Sequence, residues 1–84
     1  MKAKILTDSN SLLTMFRLGA IEGELISDNN FENTFDKSVN DQSLAILIIT
    51  KSVYMRNNIK IDDFRKENSE PLIVIIDGWK DEIC

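Results

Sequence analysis

The densest run of chemistry-bearing side chains is Asp8-Ser9-Asn10-Ser11, one carboxylate followed by two hydroxyls and an amide, directly before the apolar pair Leu12-Leu13. Side chains of these types accept hydrogen bonds from the free backbone N–H groups of a helix's first turn, so the segment is read first as a helix cap. A ligand contact is the lesser reading. Helix N-termini attract anions, but Asp8 is itself an anion and no glycine in the run lets a phosphate approach the backbone closely. The carboxylates Asp62, Asp63, Asp81 and Glu82 have no base beside them and are read as solvated. Histidine is absent, which removes the commonest general base at neutral pH and the commonest metal ligand. Cys84 is the only cysteine, so neither an intrachain disulfide nor a thiolate cluster can form. No catalytic constellation, metal site or cofactor site is expected.

The elements that position these side chains must fit in 84 residues, room for one core and one domain, here taken as residues 1–84. Hydrophobic residues make up 43% and charged residues 29%, ordinary values for a folded chain. A domain of this size buries only about 60% of its unfolded surface, so a subunit that depends on a larger assembly is expected. The net charge of -4 has the wrong sign for tracking a phosphate backbone, and no nucleic acid is expected as a partner. The longest apolar run, Leu44 to Ile49, is far short of the roughly 20 residues that span a bilayer. The N-terminal Met1-Lys2-Ala3-Lys4 reaches Asp8 after a few apolar residues and lacks a signal peptide's core. A cytoplasmic protein, peripheral on a larger assembly, is expected.

Short β-branched runs alternate with helix-periodic stretches, the pattern of βα units and a parallel sheet. Residues 3–7 read as a first strand and Leu12, Leu13, Phe16 and Ala20 as the apolar stripe of a first helix that ends between Gly19 and Gly23. Residues 24–27 read as a second strand. Asn29 and Glu32 have the spacing of a capping box, opening a helix whose Phe31, Phe35 and Val39 face the sheet. The unbroken Leu44 to Ile49 run fits a central strand covered on both faces. Val53, Ile61, Phe64 and Tyr54 share a third helical face, irregular or bent where Asn57 and Asn58 interrupt it. Pro71 stops that helix, and residues 72–76 form a fourth strand at the edge of the sheet. Right-handed crossovers then give an α/β, flavodoxin-like sheet of order 2-1-3-4, with the first helix on one face and the others on the opposite face.

In such a sheet the ligand crevice lies beyond the carboxyl ends of the strands, near Thr7, Asp8, Thr50 and Lys51. A phosphoacceptor receiver of this fold needs paired carboxylates after the first strand and an Asp ending the third. Asp8 has no acidic neighbour and the third strand ends in Thr50-Lys51, so a receiver reading survives only as a degenerate signalling or interaction module. A cysteine phosphotransfer reading needs its nucleophile where Thr7 stands. Arg17 is first an ordinary solvated helix residue and second a contact for a partner's carboxylate. Trp79 is either an interface anchor or a cover for the edge of the fourth strand.

The segments Leu6-Thr7-Asp8, Phe16-Arg17-Leu18-Gly19-Ala20-Ile21-Glu22-Gly23, Ala45-Ile46-Leu47-Ile48-Ile49-Thr50 and Pro71-Leu72-Ile73-Val74-Ile75-Ile76 together resemble the F subunit of the V-type and archaeal-type (V/A-type) rotary ATPases. The Phe-Arg-Leu segment is the most specific part. Two departures stand out: the family's Ala-Gly pair is reversed as Gly19-Ala20, and the family's C-terminal helix is absent, as in a truncated or naturally short member. The resemblance implies a non-catalytic rotor component of the central stalk, without cofactor. It implies binding to the D subunit, which forms the coiled-coil central shaft, and through it to the A/B head and the membrane rotor ring. Asp8, Phe16, Arg17, Leu18 and Trp79 are the residues expected at that partner interface.

Overall fold

The computed structural model describes residues 2–77. The chain runs β1 (Lys2–Thr7), α1 (Asn10–Leu18), β2 (Glu22–Leu25), α2 (Phe31–Val39), β3 (Leu44–Thr50), α3 (Lys51–Arg56), α4 (Asn58–Glu67) and β4 (Leu72–Ile76). All strand pairs are parallel and the order is β2-β1-β3-β4, the flavodoxin-like order expected from the pattern of short apolar runs. Trp79 and Cys84 lie outside the described residues.

The two faces of the sheet are covered unequally. Leu6, Leu47, Ile49 and Ile73 pack beneath Phe31 and Phe35 of α2, Val53 of α3 and Ile61 of α4 in the larger core. On the other face Ile5 meets only Leu12 and Leu13 of α1, with Phe16, Ile48 and Ile76 half-buried around them. The cover of β3 is therefore one-sided, against the expectation of burial on both faces. Its Leu47 and Ile49 are fully buried, but Ile46 and Ile48, which alternate onto the α1 face, are only half-buried because one short helix cannot shield all four strands.

Ser9, not Asp8, caps α1: its Oγ accepts from the Leu12 N–H at 3.2 Å. The helix closes in a Schellman motif, with the Ile21 N–H donating to the Phe16 carbonyl at 2.9 Å and the Ala20 N–H to the Arg17 carbonyl at 2.9 Å. The left-handed position of that motif, normally a glycine, is filled by Ala20 at φ 65°, while Gly19 keeps an ordinary φ of -90°. Ala20 is therefore an exposed turn residue and not part of the apolar stripe in which its spacing placed it. The motif delivers the chain straight into β2, which starts at Glu22 and is already paired with Lys4, two residues earlier than the expected start at Glu24.

The expected capping box at α2 does not form. Asn30 is the cap residue, and its side chain braces the preceding loop instead, Oδ1 accepting from the Ser27 N–H at 2.7 Å and Nδ2 donating to the Leu25 carbonyl at 3.0 Å. The expected irregularity near Asn57 is a complete break that separates α3 from α4. Tyr54 spans it, its hydroxyl donating to the Asp62 carboxylate, whose two oxygens lie at 2.9 and 3.0 Å. That bond holds the phenol proton and raises the Tyr54 pKa above the ordinary value near 10, with burial and the Asp62 charge adding to the effect.

This packing sets the expected response to three substitutions. Ala20→Gly relieves a left-handed Cβ and should stabilise the domain by about 0.5–1 kcal/mol in urea titration. Gly23→Ala should destabilise it by about 1–3 kcal/mol, because the new Cβ would sit 2.5 Å from Leu13 Cδ1 and 2.6 Å from Ile5 Cγ2, with the Ile5 carbonyl 3.1 Å away. Tyr54→Phe should lower the thermal midpoint at neutral pH. Since the folded pKa is the higher one, the Tyr54 contribution is complete below the ordinary phenol value near 10 and is lost as pH rises through the folded value, so the two proteins should converge in strong alkali.

Candidate functional site

The expected site residues fall at two places among the described residues: the crevice at the carboxyl ends of the strands, and the end of α1 where the Phe16-Arg17-Leu18 segment lies. In the crevice, Thr7 and Thr50 are fully buried. The Thr7 Oγ1 accepts from the Ser9 N–H at 3.0 Å, whereas the Thr50 Oγ1 has no hydrogen-bond partner among the described residues. Asp8 is held from two sides. Its Oδ1 accepts from the Ser52 hydroxyl at 2.8 Å and its Oδ2 from Arg56 Nη2 at 2.9 Å, while Arg56 Nη1 reaches Asp28 Oδ1 at 3.4 Å. The carboxylate thus links the end of β1 to α3 and, through Arg56, to the loop before α2. An anion would meet a negative group already hydrogen-bonded by its neighbours, and no group of three or more metal-ligating side chains occurs among the described residues.

The end of α1 is built differently. Phe16 turns inward and packs, half-buried, beside Leu12, Leu13 and Ile5. This orients the next two residues outward. Arg17 is exposed, makes no ion pair among the described residues and stands in the last helical turn, where a cation complements the helix dipole. Leu18 is 86% exposed, the most exposed of the large hydrophobic residues described, and Met15 on the same helix is 48% exposed. Arg17, Ala20 and Ile21 form one wall of an open groove of about 470 Å³ whose other wall is Lys4 with the β2 residues Glu22, Gly23 and Glu24.

β2 is an edge strand, so this groove combines an apolar helix end with one side of a sheet. Its acidic rim is partly neutralised: Lys2 approaches Glu22 at 3.8 Å and Lys4 approaches Glu24 at 3.3 Å. Of the expected interface residues, the structure brings Phe16, Arg17 and Leu18 to this corner and places Asp8 at the opposite end of α1. Ile21 and the β2 edge join the corner without having been expected there. Their signal in the sequence is the alternation Glu22-Gly23-Glu24 against Lys2 and Lys4, which reads as a cross-strand charge ladder once the register is known.

These features define a small α/β domain with an exposed apolar corner. A family model described as ATP synthase (F/14-kDa) subunit matches residues 4–83, nearly the whole chain. The domain is accordingly a component of a rotary ATPase, and the chain belongs to the ATP synthase F subunit family of the V/A type. No curated protein and no solved structure gives a significant match. Among the described residues, no helix is long and apolar enough to cross a membrane.

If Asp8 serves the scaffold, Asp8→Ala should lower stability by about 1 kcal/mol or less, the range of a partly exposed ion pair. The loss should shrink in high salt, as measured by urea titration at low and high ionic strength.

Proposed function

We propose that this chain is a non-catalytic rotor component of the central stalk of a V/A-type ATPase or ATP synthase. It binds the D subunit, the coiled-coil central shaft, and turns with it inside the A/B head. It helps to couple ATP synthesis or hydrolysis to proton or sodium movement through the membrane rotor ring, with a regulatory part in that coupling. ATP chemistry belongs to the head, and this chain sits on the cytoplasmic side as a peripheral component. Residues 1–84 act as one domain in this reading.

The observation that supports this reading is the exposure of Leu18 beside an Arg17 that makes no ion pair among the described residues, in a chain whose family match spans residues 4–83. A two-helix coiled-coil shaft buries its a/d seam between its own helices and borders it with charged e and g side chains, whose apolar stems cover the outer surface that a partner meets. Leu18 and Met15 supply an apolar contact of matching kind, and Arg17 supplies a donor for a carboxylate along the seam. Phe16 holds the helix end in place from beneath. Asp8 braces the other end of α1, and Trp79, beyond the described residues, is proposed as an additional apolar anchor.

Co-expression with the shaft's D subunit from the same organism, followed by size-exclusion chromatography with light scattering, should give a one-to-one complex. Leu18→Asp should weaken that complex by about tenfold or more while leaving the domain folded, since the side chain is exposed in the free protein. Absence of a complex, or undiminished binding by Leu18→Asp, would contradict the proposal.

A further inference from the structure

The face of the sheet opposite α1 carries a second groove, between α2 and α4, of about 560 Å³. Phe35, Val39 and Phe64 line its interior. Phe35 is buried, its ring 5.3 Å from Phe31 and 5.6 Å, edge-on, from Phe64, so the groove rests on a fixed aromatic cluster. Ile59 stands at the mouth with 75% of its surface exposed.

Four carboxylates line the same groove: Glu32 and Asp36 from α2, Asp63 and Glu67 from α4. The lysine among the lining residues, Lys60, is already engaged, its Nζ 3.2 Å from Asp36 and 6.0 Å from the Phe35 ring centre. Glu32, Asp63 and Glu67 make no ion pair among the described residues. The result is an apolar trough bordered by uncompensated negative charge.

We propose that this groove is a second docking surface, and that its occupant is a basic amphipathic helix: an apolar stripe flanked by lysine or arginine. Charge complementarity selects the basic flanks. The helical form follows from the walls. Both are helices whose backbone groups are bonded internally, so they offer no ladder for an extended strand, and an occupant must satisfy its own backbone. The lining positions on α2 are spaced at 32, 35, 36 and 39, about two turns or 10 Å, which matches the reach of one apolar stripe along a helix. A second copy of this chain is a poor fit, because its net charge is -4. The groove lies on the other face of the sheet from Leu18, so it stands independently of the shaft-binding reading.

The test uses the full chain, labelled for two-dimensional NMR. The probes are a synthetic helix of about 18 residues, with leucines at i, i+3, i+4 and i+7 and lysines flanking them, and a matched helix with glutamates in place of the lysines. The lysine peptide should shift amide resonances of α2 and α4, more weakly as salt is raised, and the glutamate peptide should not. In the Asp63→Lys/Glu67→Lys variant, whose substituted positions lie on the outer surface of α4, affinity for the lysine peptide should fall about tenfold and the glutamate peptide should begin to bind. Equal response to both peptides, no response, or shifts centred on α1 would overturn the proposal. Concentration-dependent dimerisation abolished by Ile59→Asp would overturn it too, by assigning the groove to a second copy.

Discussion

The close approach of α1 to the sheet at Gly23 is the contact on which the exposed corner depends. A Cβ at that position would fall well inside van der Waals distance of Leu13 and Ile5, so the helix can lie this near β1 and β2 only over a glycine. The Schellman motif at the other end of the same turn fixes the direction from which the chain arrives, with the Phe16 and Arg17 carbonyls both satisfied before β2 begins. Phe16 is thereby set inward, and Arg17 and Leu18 have no option but to face solvent. The corner's backbone is held by these bonds, although its side chains are not yet covered.

The unequal cover of the sheet gives the domain two kinds of surface. The α2–α4 face is closed by three helices over a continuous core, and what it exposes is a shallow groove with an acidic border. The α1 face has a single nine-residue helix over four strands and keeps Ile46, Ile48, Val74 and Ile76 only half-buried. A domain this small has little apolar surface to spare, so partly covered strands are where association with another chain adds most to stability. The crevice at the carboxyl ends of the strands, the usual ligand position in this fold, is occupied by the protein's own polar contacts around Asp8.

The number of strands and the weak point near Asn57 are legible in the sequence because each rests on a strong local signal, and the strand order follows from the right-handed crossover rule, whereas the full separation of α3 from α4 does not show in the sequence. The uninterrupted Leu44 to Ile49 run marks a buried parallel strand, and the Asn57-Asn58 pair marks a weak point in a helix. The departures share a physical cause, a local signal outcompeted by tertiary geometry. Asn29 and Glu32 have capping-box spacing, but the neighbouring Asn30 ties down the β2–α2 loop and takes the cap position. Asp8 has the chemistry of a cap, yet an arginine 48 residues away in sequence claims its carboxylate. Ala20 continues a helical period on paper, but the helix has already ended at Leu18. At the candidate site, Phe16, Arg17 and Leu18 stand out as a segment, while their division into one inward and two outward side chains depends on the helix phase. The β2 edge depends on the register.

In the proposed complex this chain meets the shaft through the end of α1 and the adjoining edge of β2, and the shaft leaves the strand-end crevice uncovered. Hydrogen–deuterium exchange by mass spectrometry, comparing the free chain with its complex with the shaft's D subunit, distinguishes these two surfaces. New protection should be concentrated in residues 15–25, with the segments around Asp8 and Thr50 exchanging as they do in the free chain. Protection centred on the Asp8–Thr50 crevice, with residues 15–25 unchanged, would contradict this placement.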